Sequence, residues 1–218
     1  MYILVAAATP FEIAPLMAGL EQSGVVMGKH EVVTLVTGIG SLAASWSLSQ
    51  AINSRIPDFM IQAGIAGSLN ANLFTSQVVI VSTEIQGDLG AWENDEFLDI
   101  FDLGLAKASA FPFSDKELAN PLVADKKACY GIPTARGVTV NEITTRAEKI
   151  ALLKQYYQAE TESMEGAAFH YAGLMANIPF LQLRAISNIV GDRNKKNWKI
   201  KEAIGELNEQ LITLLPQL

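Results

Sequence analysis

Short runs of aliphatic and β-branched residues leave little choice of fold. They fall at residues 2–8, 32–36, 59–63, 77–82, 134–140 and 178–186. Most do not alternate polar with apolar side chains, so these strands are expected to be covered on both faces. Helix-compatible segments lie between and after them, at 42–53, 116–126, 146–158, 163–175 and in an amphipathic tail from Trp198 that reads as structural. Strands alternating with helices give an α/β fold with a mixed, mainly parallel sheet. The 218 residues suffice for one such domain spanning 1–218. No repeat of helix-pair or blade length occurs, which removes solenoids and propellers.

Charge and composition narrow the function classes. A net charge of −7 disfavours nucleic acid or an anionic membrane surface as the main partner. No apolar run reaches the length of a membrane span. Met1-Tyr2-Ile3-Leu4-Val5 lacks a basic n-region and reads as a first strand, so a cytoplasmic location is expected. Cys129 is the single cysteine, which excludes an intrachain disulfide and any multi-cysteine metal site. The two histidines, His30 and His170, have no partner spacing, and no metal or other cofactor is implied.

The candidate chemistry sits at strand ends. Thr9, Pro10 and Glu12 have capping-box spacing after the first strand. Glu12 fits a helix-start carboxylate and a catalytic acid equally well, since α/β proteins place ligands beyond the carboxyl ends of strands. Two glycine-rich strand exits follow, Thr37-Gly38-Ile39-Gly40-Ser41 and Gly64-Ile65-Ala66-Gly67-Ser68. Each can be a tight turn or a backbone approach to a ligand. Residues 84–114 are acidic and aromatic, with Trp92, Phe97, Phe101, Phe111 and Phe113. A lid, an interface or the cover of a core edge is expected there, with helical turns near 95–105.

The stretch 159–193 carries the most information. Ser163 can cap a helix to about residue 175, with Glu165 in its first turn. Glu165 reads as favourable charge at a helix start, or as a carboxylate accepting two hydroxyls of a vicinal diol. His170 on this helix reads as a core or interface histidine rather than a base. The strand 178–186 is broken by Gln182 and Arg184, and a charge there requires a partner. It exits at Ser187-Asn188 and turns at Gly191-Asp192-Arg193.

These residues carry a family resemblance. Met164-Glu165-Gly166-Ala167 followed by Arg184-Ala185-Ile186-Ser187 is similar to the signature of the nucleoside phosphorylase/nucleosidase superfamily. Thr37-Gly38-Ile39-Gly40 and Ala63-Gly64-Ile65-Ala66-Gly67 resemble its two glycine loops in order, and Glu12 falls on its N-terminal acid. The resemblance implies a three-layer αβα sandwich, a purine nucleoside substrate and a homodimer or higher homo-oligomer. It implies that Glu12 activates water, Met164 packs on the sugar, Glu165 binds its hydroxyls, Arg184 supports the site and Asn188 contacts the purine. Main chain at Ile65, Ala66 and Gly67 and at the Val140-Asn141 strand end would complete the base site. Within the superfamily, residues 187–193 and the acidic-aromatic segment resemble a nucleosidase branch whose substrate ends in a benzoate. Trp92, Phe97 or Phe101 would then stack on that ring, and Arg136 or Arg193 would meet its carboxylate.

Departures from the family pattern choose the reaction. Phosphate-using relatives carry an arginine and a serine where this chain has Gln62 and Ile65, so hydrolysis is expected. Adenine-releasing nucleosidases carry an aspartic acid at Asn188. An amide cannot protonate the leaving base, yet it can donate hydrogen bonds to a ring nitrogen and a 6-oxo group. A 6-oxopurine nucleoside is therefore expected. Three other readings remain: an adenine-releasing nucleosidase, a nucleoside-binding protein without catalysis and a dinucleotide-dependent oxidoreductase. The second has little use for Glu12, and the third lacks a G-x-G-x-x-G after the first strand.

Overall fold

A computed structural model describes residues 1–23, 26–27, 29–124 and 129–218. The strands are β1 Tyr2–Ala7, β2 Val26–Met27, β3 His30–Val36, β4 Phe59–Ser68, β5 Val78–Gln86, β6 Gly90–Glu93, β7 Glu96–Asp99, β8 Leu118–Ala119, β9 Thr134–Thr139, β10 Thr161–Ser163 and β11 Phe180–Ile189. The α-helices are α1 Ala14–Ser23, α2 Ser41–Ser54, α3 Ala147–Ala151, α4 Gly166–Ala176 and α5 Ile200–Leu214. Nine strands form one sheet in the order β10-β9-β5-β11-β4-β1-β3-β2, with β8 on β5. β6 and β7 make a separate hairpin.

The apolar runs become central strands because both faces are covered. In β1, Ile3, Val5 and Ala7 pack with α1 and α5 residues such as Leu16, Leu207 and Leu211. Leu4 and Ala6 face the other way, onto Ala44 and Leu48 of α2 and Phe169 of α4. This is the αβα layering the sequence implies. One end of the sheet goes further: β10 pairs with both β9 and β4, so β4, β10, β9, β5 and β11 close into a ring. The candidate site sits at this ring, beside β1.

Several element boundaries differ from expectation. β4 runs through Gly64 and Gly67 to Ser68, because β11 and β10 supply partners along that length. The second glycine exit is therefore strand. Residues 95–105 form no helix. Asn94 and Asp95, at φ 50° and 65°, make the two-residue turn of the β6–β7 hairpin instead. In 116–126 a positive φ of 70° at Lys116 and Pro121 replace the expected helix with β8 and a 3-10 turn, Pro121–Ala124. Residues 125 and 126 of that segment lie outside the described residues. Ser163 ends strand β10 and caps nothing; Glu165 occupies the N-cap of α4. The segment 146–158 is only a short α3 continued by a π-turn, Leu152–Tyr156.

One buried amide ties α5 to the N-terminal elements. Asn208 Oδ1 accepts the Leu16 N–H at 3.1 Å, and its Nδ2 donates to the Glu12 carbonyl at 2.9 Å. Asn208→Ala strands both backbone groups in a dry core. It is expected to cost about 2–4 kcal/mol, read from denaturant unfolding at unchanged m-value. An unchanged midpoint would show that the amide does not fasten this corner.

Candidate active site

A cavity of about 280 Å³ opens at the carboxyl ends of β1, β4 and β11. Glu12, Ile65, Ala66, Gly67, Met164, Glu165 and Asn188 all line it. Chain segments as distant in sequence as Ala8 and Ile204 thus meet around one space.

Glu12 is 6% exposed and fixed by three donors. Its Oε2 accepts the Thr9 N–H at 2.9 Å and the Thr9 hydroxyl at 3.0 Å. Its Oε1 accepts the Ile65 N–H at 3.1 Å. The helix-start contact and the cavity-wall position thus coexist in one side chain. A carboxylate offers about four acceptor sites, so one remains for a ligand or water.

Glu165 is 5% exposed and held differently. Its Oε1 accepts the Gly40 N–H at 2.9 Å, and its Oε2 lies 3.8 Å from Arg184 Nη2. The first glycine loop therefore serves the carboxylate. Gly40 reaches it from φ 87°, a conformation costly for any residue with a Cβ. Ser41 Oγ donates to the Met164 carbonyl at 3.2 Å, which fixes the turn before α4.

Arg184 lies behind the cavity wall, 1% exposed. Its guanidinium occupies the space a side chain at position 64 would need. A Cβ on Gly64 would sit 2.3 Å from Arg184 Nη1 and 3.0 Å from Glu12 Oε1. Arg184 Nη1 also points at the Ile65 carbonyl, at 3.5 Å. The glycine is needed for close approach.

Asn188 is a further lining residue of the cavity. Its Oδ1 accepts the Ser187 hydroxyl at 2.8 Å, and its Nδ2 donates to the Ile189 carbonyl at 3.1 Å. With the oxygen engaged, the second N–H of the amide is left to donate into the cavity. Val140 and Asn141 do not join the lining. Val140 is turned into the core beside Val138 and Leu153. Asn141 is exposed and bound through its N–H to Asp88 at 2.6 Å. Ile143, Glu162 and Ser163 hold that side instead.

The remaining candidates separate. Arg193 and Trp198 line the cavity, with the Arg193 guanidinium 5.2 Å from the centre of the Trp198 ring. Trp198 therefore does more than anchor the tail. Trp92 meets Phe97 edge to face, Phe101 meets Phe113 likewise, and Arg136 pairs with Glu117; none lines the cavity within this chain. His170 is fully buried; its Nδ1 donates to the Leu118 carbonyl at 2.9 Å, and burial pushes its pKa down to about 4. It is a core histidine.

Sequence reasoning missed Glu84, which is 1% exposed near the C-terminal end of β5. It accepts from Gln182 Nε2 at 2.7 Å and Thr139 Oγ1 at 2.9 Å, and Thr139 Oγ1 accepts the Ala167 N–H at 2.7 Å. This chain of bonds holds the first turn of α4, next to Glu165. A Cβ on Gly166 would meet Glu84 Oε1 at 1.9 Å, so Gly166 of the Met-Glu-Gly-Ala motif is there to admit this carboxyl. No cluster of three or more His, Cys, Asp or Glu residues with metal-binding geometry occurs among the described residues. None of the described helices is long and apolar enough to cross a membrane.

Comparisons with known proteins identify the family and the fold. The model of the phosphorylase superfamily matches residues 6–215. The futalosine hydrolase of Streptomyces coelicolor is 30% identical over 190 residues, covering 84% of this chain and 78% of that protein. The futalosine hydrolase of Thermus thermophilus is 30% identical over 185 residues, covering 85% and 81%. Among solved structures, the S-adenosylhomocysteine nucleosidase of Streptococcus pyogenes, in complex with 5-methylthiotubericidin, superposes with a TM-score of 0.80 at 20% identity, over 100% of this chain and 97% of that one.

Burial lifts the Glu84 pKa from its ordinary 4.5 to about 7. The folded state therefore holds this proton more tightly than the unfolded chain does. The stability it contributes is complete below pH 4.5 and lost as pH rises to about 7, by on the order of 3 kcal/mol. Glu84→Gln can keep both hydrogen bonds and is expected to flatten that slope in thermal unfolding across the same pH window. An identical slope in both proteins would mean that Glu84 stays ionised in the fold.

Proposed function

The chain belongs to the phosphorylase superfamily, and on that premise we propose that it is a nucleosidase hydrolysing the N-glycosidic bond of futalosine. The products are hypoxanthine and dehypoxanthine futalosine, a step of menaquinone biosynthesis. The observation that carries this reading is one cavity holding the fixed carboxylate Glu12, the second carboxylate Glu165 and the donor amide Asn188. The similarity to futalosine hydrolases over most of the chain supports it.

The reaction passes through an oxocarbenium-like sugar. Glu165 accepts the ribose hydroxyls while Gly40 and Arg184 hold it, and Met164 packs on the ring. Glu12 keeps an acceptor site for water and takes the water proton as oxygen bonds to the anomeric carbon. The C–N bond breaks, and its electron pair leaves with the base. Asn188 donates to the ring nitrogen or oxo group that gathers this charge. Hypoxanthine spreads the charge onto its oxygen and needs no protonated side chain.

Water rather than phosphate fits the sugar side. Ile65 offers no donor through its side chain, and Arg184 is committed behind Glu165. Among the described lining residues the remaining cation is Arg193, placed over Trp198. A phosphate would face the carboxylates Glu12, Glu162 and Glu165 against that single cation. The second reading is a methylthioadenosine/S-adenosylhomocysteine nucleosidase, favoured by the fold shared with such enzymes. A nucleoside-binding protein would leave the threefold anchoring of Glu12 without purpose.

We read the chain as one domain that works as a homo-oligomer in the cytoplasm. Phe11, Ile39, Leu42 and Trp46 are all more than half exposed, and Phe11 and Ile39 line the cavity. A second copy covering them would enclose the 5′ end of the substrate. Sedimentation at micromolar concentration is expected to give a dimer or larger; a monomer would refute the oligomer.

Futalosine, methylthioadenosine and inosine, each with and without phosphate, separate the readings by the base released. Hypoxanthine from futalosine at a rate independent of phosphate is expected, and faster adenine release from methylthioadenosine would overturn the assignment. Glu12→Gln is expected to lower kcat at least 1,000-fold, on the order of a general base's contribution, with nucleoside binding retained. Near wild-type turnover would remove Glu12 from the role of base.

A further inference from the structure

Arg193 is a cation of the cavity wall that the hydrolytic mechanism leaves unused. The chain has five arginines, and four of them, Arg55, Arg136, Arg146 and Arg184, face a carboxylate at ion-pair distance. Among the described residues Arg193 faces none, and its exposed guanidinium lies over the Trp198 ring instead. The adjacent Asp192 is engaged elsewhere. Its Oδ1 accepts the Asn194 N–H at 2.8 Å, and its Oδ2 accepts an Asn197 Nδ2 hydrogen at 2.7 Å.

The same bonds make the loop a support. The Asp192 carbonyl accepts the Trp198 Nε1–H at 2.9 Å, and the Lys199 N–H donates to the Ser187 carbonyl at 2.8 Å. The loop is therefore closed on itself and pinned to β11 beside Asn188. A guanidinium resting on a fixed indole loses little freedom when its planar fork meets a planar anion.

The surroundings fit an anion as well. Residues 193–201 hold five of the 16 lysines and arginines and no acid, in a chain of net charge −7. Trp198 and Ile200 line both the cavity and an outer hollow of about 350 Å³ whose wall includes Lys195 and Lys201. The two spaces thus adjoin at the indole. Deeper in, Glu12, Glu162 and Glu165 line the wall and would repel a bound carboxylate. The base and ribose of a purine nucleoside carry no charge at neutral pH. A cation at this place therefore serves the remainder of the ligand.

We propose that Arg193, supported by Trp198, binds the carboxylate of an aryl acid carried at the 5′ end of the nucleoside, and so selects substrates with an anionic arm. The proposal rests on the nucleosidase reading and adds a specificity-determining site for that arm. Of the two arginines the sequence offers for this contact, Arg136 is paired with Glu117 and lies off the cavity.

Futalosine and its methyl ester, which keeps the arm and loses the charge, test this through the ratio of their kcat/KM values. The wild type is expected to favour futalosine roughly 10–100-fold, the worth of a charge-assisted hydrogen bond. Arg193→Gln, with unchanged thermal unfolding, is expected to bring the ratio close to one. Arg193→Lys, which keeps the charge without the fork, is expected to fall between them. A wild-type ratio near one overturns the proposal, as does an undiminished preference in Arg193→Gln. Calorimetry on Glu12→Gln, with and without Arg193→Gln, reads the same ratio from binding alone. A wild type that cleaves neither compound refutes the nucleosidase, while the binding ratio still decides the role of Arg193. Failure of futalosine to bind at all overturns both.

Discussion

A buried guanidinium in the sheet makes the site possible. Arg184 sits under the cavity, 3.8 Å from Glu165, in the space left by the missing side chain of Gly64, with Glu12 Oε1 on the same side. Two carboxylates buried on one cavity are costly to enclose without a cation nearby. The guanidinium in turn needs the carboxylates, because its Nε and Nη2 have no hydrogen-bond partner in the protein. Removing any one of Gly64, Arg184 or Glu165 leaves the others buried and unmatched.

Around that centre the protein gives buried carboxyl groups different work by giving them different donors. Glu12 receives three donors and keeps one acceptor site, which suits a group that must hold its position and receive a proton. Glu165 has one backbone donor and a cation beside it, leaving room for hydroxyls. Glu84 is far from solvent, carries its proton to about pH 7 and supports the start of α4. Glu162 is held through the Thr144 N–H at 3.2 Å, and burial raises its pKa. The same residue type thus meets different donors and different burial in one site, and its chemistry differs accordingly.

The sequence made the layers legible because β1, β4 and β11 are apolar on both faces, a pattern few other folds produce. It made Glu12, Glu165 and Asn188 legible because each stands at a strand or helix end inside a recognisable motif. It hid what depends on pairing between distant chain segments. β10 is three polar residues with no hydrophobic period, so nothing local marks the strand that carries Glu162. Glu84 looked like the edge of an irregular region because nothing local marks a strand that continues through it. Val140 and Asn141 were placed one step too far along, since β9 ends at Thr139 and Asp88 captures the next amide. Periodicity reports burial, whereas register across the closed ring of strands is a long-range property.

The central claim is that water, positioned by Glu12, attacks the anomeric carbon while a 6-oxopurine leaves. A single turnover of futalosine in ¹⁸O-labelled water containing phosphate, followed by mass spectrometry of both products, tests this most directly. The account expects one labelled oxygen in the sugar product and unlabelled hypoxanthine. An unlabelled sugar 1-phosphate would contradict it.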